Sequence, residues 1–100
     1  MSRTKISVVP GAAGRASLAA FRADVVIADP PRKGIDHMLI EYLSEQPPER
    51  FVYVSCGLES FLNDTAQLTS RGKLRLCELT AFNLLPFTEH VETVARFERA

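Results

Sequence analysis

Two short apolar runs rich in β-branched residues constrain this chain more than anything else in it. Val25-Val26-Ile27-Ala28 closes a segment that opens at Ala23-Asp24, and Phe51-Val52-Tyr53-Val54 follows about two dozen residues later. Neither run alternates with polar residues, and strands of that kind belong to parallel sheets covered by helices. The segments behind them change period. Ile35, Met38, Leu39, Tyr42 and Leu43 recur at helical spacing, which predicts an amphipathic helix over 35–44, ended by Gln46-Pro47-Pro48. Leu58, Phe61, Leu62, Thr65 and Leu68 predict a second helix, stopped at Arg71-Gly72.

The flanks extend this alternation. Ile6–Val9 reads as a short strand before Pro10-Gly11, and the alanine- and leucine-rich 12–21 as a weak helix. Residues 74–79 alternate as a half-exposed strand, and 91–97 form a last strand reached through a loop around Pro86. Strands alternating with helices predict an α/β fold of Rossmann-like, doubly wound character. Its sheet is mostly parallel, with an antiparallel strand pair at its end. The 23–28 and 51–54 strands should be neighbours, which brings the loops behind them to one sheet end.

With 100 residues the chain is one domain or a piece of one. Twelve Lys+Arg balance twelve Asp+Glu, so it lacks the basic footprint of a protein that grips nucleic acid by charge alone. No apolar run approaches the roughly 20 residues of a membrane span, and Met1–Lys5 leads into no signal-peptide core. Cys56 and Cys77 are too few and too far apart for a disulfide framework or a metal site, which fits a reducing, cytoplasmic compartment.

In an open α/β sheet, ligands bind beyond the carboxyl ends of the parallel strands. Asp29-Pro30-Pro31-Arg32-Lys33-Gly34 and Ser55-Cys56-Gly57 both fall there. Asp29 on a proline-stiffened loop is a positioned acceptor for ligand hydroxyl or amino groups; an Asp-Pro turn that merely starts a helix would look the same. Cys56 lies where a strand meets a helix N-terminus, a place that favours the nucleophilic thiolate, although a lone cysteine is more often structural. Cys77, inside an alternating strand, reads as packing. Glu92 opens the last strand. If that strand runs antiparallel beside the Cys56 strand, Glu92 shares its crevice; an exposed loop charge is the plainer alternative. His90 would serve as a base equally well, and the residues alone do not choose between them.

Asp29-Pro30-Pro31-Arg32-Lys33-Gly34, Tyr53-Val54-Ser55-Cys56 and Phe87-Thr88-Glu89-His90-Val91-Glu92-Thr93, in this order, resemble the uracil-5 RNA methyltransferases. The similarity runs from about Asp24 to the C-terminus. It implies the C-terminal half of a Rossmann-like methyltransferase domain that uses S-adenosyl-L-methionine to make 5-methyluridine in tRNA or rRNA. By the same resemblance Asp29 contacts the cofactor, Cys56 is the nucleophile, and Glu92 is the base that takes the proton from carbon 5. Carbon 5 of uracil is a poor nucleophile. Addition of a thiolate to carbon 6 turns the ring into an enolate whose carbon 5 attacks an activated methyl group; a base then removes the carbon 5 proton and elimination frees the cysteine. The target base must leave its stack to reach these groups.

The glycine-rich cofactor loop and the RNA-binding domain that the resemblance implies have no counterpart in this sequence. The chain is therefore expected to be one part of such an enzyme, with a further N-terminal half as its partner. Two other readings compete: a non-catalytic remnant or assembly module of the same fold, and an amino-methyltransferase with an Asp-Pro-Pro-aromatic loop. The last ranks third, because Arg32 stands where the aromatic would be and that chemistry needs no Cys56.

Overall fold

The computed structural model describes residues 6–10, 24–30, 33–83 and 91–100. Five strands and two helices follow one another: β1 (Ile6–Pro10), β2 (Val25–Asp29), α1 (His37–Glu45), β3 (Arg50–Ser55), α2 (Leu58–Thr69), β4 (Leu74–Asn83) and β5 (Val91–Arg99). The helix expected over 12–21 lies outside the described residues.

The strands form one mixed sheet in the order β1-β2-β3-β5-β4. β1, β2 and β3 are parallel, with Val26 beside Phe51 and Ala28 beside Tyr53. β5 runs antiparallel between β3 and β4, so the expected terminal pair is present and β4 takes the edge. Val26, Ala28, Phe51, Tyr53, Ala95 and Phe97 point to one face and are buried there under Leu39, Ile40 and Leu43 of α1 and Phe61 and Leu68 of α2. Tyr53 meets Phe61 of α2 edge-on at 5.3 Å and joins the layers, while within the sheet Phe51 meets Phe97 at 5.7 Å. Val25, Ile27, Val52, Val54 and Val94, on the other face, are half-buried.

Four sequence expectations need correction. Helix α1 starts at His37 rather than Ile35, because the Ile35 N–H donates to the Asp64 carboxylate and Asp36 caps the helix by accepting from Met38 N at 2.9 Å. Met38, Leu58 and Leu62, counted in the apolar stripes, are exposed. Strand β4 was expected to bury one face, yet only Leu74 is buried along residues 74–82; its edge position leaves Leu79 53% exposed. Cys77 sits at a bulge between Leu76 and Glu78 and is exposed, so it does not pack as expected. The bulge breaks the alternation that the packing expectation depended on.

Candidate functional site

The parallel strands deliver Asp29 and Cys56 to the same end of the sheet. Asp29 is the last residue of β2, exposed, with Pro30 behind it buried. β3 ends at Ser55, one residue before the exposed Cys56. The antiparallel β5 brings Glu92 to this end, since its ladder with β3 closes on Ser55 opposite Thr93. Extending that register by one residue sets Cys56 across from Glu92. Strand alternation gives Asp29 and Glu92, and Cys56 by continuation, the same parity, on the face away from α1 and α2. Glu92 is half-buried and pairs on its other side with Phe82, which is 45% exposed.

The turn that holds Cys56 is locked from behind. Buried Ser55 donates its hydroxyl to the Gly57 carbonyl at 3.0 Å and accepts from Gly57 N at 3.2 Å. Gly57, which provides no side-chain cap, is the N-cap of α2, so the N-terminal turn of the helix begins directly behind the cysteine.

Asp64 was missed by sequence reasoning. On α2 it occupies a core position between Phe61 and Leu68 and is 4% exposed. Its Oδ2 accepts from the Tyr53 hydroxyl at 2.6 Å and from Ile35 N at 3.0 Å. Burial pushes the Tyr53 phenol well above its ordinary range, and the hydrogen bond to Asp64 and its charge push it further. The signal available in the sequence was the spacing: Asp64 interrupts the stripe Phe61, Thr65, Leu68 at a place where an apolar residue would be expected.

Pro31, Arg32 and His90 lie outside the described residues. Among the described residues, no group of three or more His, Cys, Asp or Glu is arranged to hold a metal ion. Within the same residues, no helix is long and apolar enough to cross a membrane.

The sequence model of the tRNA (uracil-5-)-methyltransferases matches residues 14–100. The chain belongs to this family. An uncharacterized RNA methyltransferase of Protochlamydia amoebophila is 43% identical over 77 residues, which is 77% of this chain and 20% of that protein. One from Enterococcus faecalis is 43% identical over 80 residues, 80% of this chain and 17% of its own length. Among solved structures, the Pyrococcus abyssi tRNA (uracil-54, C5)-methyltransferase in complex with S-adenosyl-L-homocysteine superposes with a TM-score of 0.67 at 40% identity, over 75% of this chain and 18% of that one. The chain thus spans about a fifth of the length of these family members.

Proposed function

We propose that this chain carries the nucleophile and base of an S-adenosyl-L-methionine-dependent enzyme that methylates carbon 5 of uridine in tRNA or rRNA through a covalent cysteine adduct. The observation that supports the reading best is the strand register that ends at Ser55 opposite Thr93, one residue short of Cys56 and Glu92, with Asp29 at the end of the next strand. Membership of a family named for tRNA, and the similarity to a tRNA enzyme, favour tRNA among the two substrates. The reading makes the chain one part of a larger catalytic unit, in keeping with its share of its relatives' length.

Each residue suits its task. The Asp29 carboxylate, held outward at a strand end by a buried proline, is an acceptor for amino or hydroxyl donors of the cofactor. S-adenosyl-L-methionine, when bound, supplies the activated methyl group. The Cys56 thiolate bonds to carbon 6 of the uracil, and the electrons of the 5,6 double bond move into the enolate, making carbon 5 nucleophilic. After methylation Glu92 takes the proton from carbon 5; the double bond re-forms and the sulfur leaves as thiolate. The exposed Phe82 ring beside Glu92 offers a flipped base an apolar wall. Both thiols are free, as in a reducing cytoplasm.

The test is a denaturing gel of the enzyme that carries this chain, incubated with labelled RNA and cofactor. Cys56→Ala should abolish both methyl transfer and the shifted band of covalent adduct. A Cys56→Ala enzyme that still forms the adduct excludes Cys56 as the nucleophile.

A further inference from the structure

We infer that Asp64 is a positioning residue of this reaction, whose buried carboxylate fastens the loop after Asp29 to the strand that delivers Cys56. The inference rests on the methyltransferase reading and adds to it a residue that touches neither substrate nor cofactor.

Three segments meet at one oxygen atom. Asp64 comes from the middle of α2, the helix that starts directly after the Cys56 turn. Its Oδ2 accepts from Tyr53, which lies on β3 just ahead of Ser55 and Cys56. The same Oδ2 accepts from Ile35 N, at the exit of the loop that begins at Asp29. Gly34 brings the backbone still closer. Its φ is +98°, and a Cβ there would stand 2.6 Å from Asp64 Oδ2 and 3.2 Å from Ser60 Cβ. Only glycine combines that backbone angle with that approach. The far end of the loop is therefore pressed onto the carboxylate, while its near end is held by β2 pairing with β3.

A core position facing Tyr53 and Phe61 would be filled at lower cost by an apolar side chain, because burying an ionisable group is unfavourable unless strong hydrogen bonds offset it. An apolar residue would leave the Tyr53 hydroxyl and the Ile35 N–H without this acceptor. What the carboxylate adds is an anchor for Gly34 and Ile35, at the exit of the segment that follows Asp29, against the strand that leads to the thiol of Cys56. Methyl transfer depends on such anchoring, since small misplacements of reacting groups cost large factors in rate.

The test uses Asp64→Asn, which keeps shape and removes charge, and Tyr53→Phe, which keeps the ring in the core and removes one donor. In the full chain, amide hydrogen exchange at Ile35 should accelerate on the order of tenfold, the scale of one charge-assisted hydrogen bond, while β3 amides keep their protection. In the active enzyme carrying the chain, the KM for S-adenosyl-L-methionine should rise about tenfold on the same scale, with the KM for RNA unchanged. Unchanged Ile35 exchange in both variants overturns the inference. So does faster exchange with all kinetic constants unchanged, which would make Asp64 a stabilising residue only. A wild-type enzyme without methyl transfer to uridine fails the methyltransferase reading instead, whereas an active wild type with unaffected variants fails this inference alone.

Discussion

Ser55 pairs with Thr93 at the last rung of the β3–β5 ladder, and both side chains turn inward to the helices. The next residue on each strand is therefore sent to the opposite face, at the end of the sheet where Asp29 also emerges. Cys56 and Glu92, far apart in the chain, each lie one residue past this last rung, Cys56 in the bend that follows β3.

That relationship separates the tasks of the two residues. If Glu92 acts only after the methyl group has moved, Glu92→Gln should still form the covalent RNA adduct and release it slowly. The adduct band should build up on a denaturing gel while turnover falls by about a hundredfold or more, the usual contribution of a positioned base. Normal turnover with no trapped band would move the role of base elsewhere, with His90 next to be examined.

Tyr53 predicts a distinctive alkaline behaviour. Its phenol holds its proton more tightly in the folded chain than in the unfolded one, because of burial and then of Asp64. The folded pKa is the higher of the two, so this stabilisation is complete below the ordinary tyrosine value near 10 and is lost as pH rises above it. In urea melts between pH 9 and pH 11.5, wild-type stability should fall more steeply than that of Tyr53→Phe, with a difference of up to about 1.4 kcal/mol per pH unit. Parallel slopes would mean that Tyr53 ionises as freely in the fold as in the unfolded chain.

Cys77 is accessible at the β4 bulge, its Sγ 3.7 Å from the Arg75 carbonyl. The Glu98 carboxyl beside it is lowered below its usual range, first by the Cys77 thiol and then by Arg96 and Arg50. Because Cys77 and Glu98 lie at the surface, Cys77→Ala should shift stability by no more than about 0.5 kcal/mol, as surface substitutions do. Thiol titration of the native wild type should count two reactive groups, and that of Cys77→Ala one. A second thiol that reacts only in denaturant would return Cys77 to the interior.

The sequence by itself determined the elements and their order. Val25–Ala28 and Phe51–Val54 are apolar enough to be only interior strands, the periodic segments behind them only helices, and the motifs at the strand ends carry the family resemblance. These are local properties, written in neighbouring residues. Tertiary structure decided what depends on distant partners. The local spacing around Ile35 predicts helix; Asp64, on another helix, takes its N–H and delays the helix to His37. The alternation of its strand predicts packing for Cys77; the bulge and the edge position expose it. Asp64 itself looked like an ordinary polar residue in an amphipathic helix, and became central only where Tyr53 and the Gly34 turn close over it. Whether Glu92 reaches the sheet end where Cys56 lies depends on which strand β5 joins, and it joins β3. Hydrogen-bond partners and strand registers join residues far apart in sequence, and no local pattern specifies them.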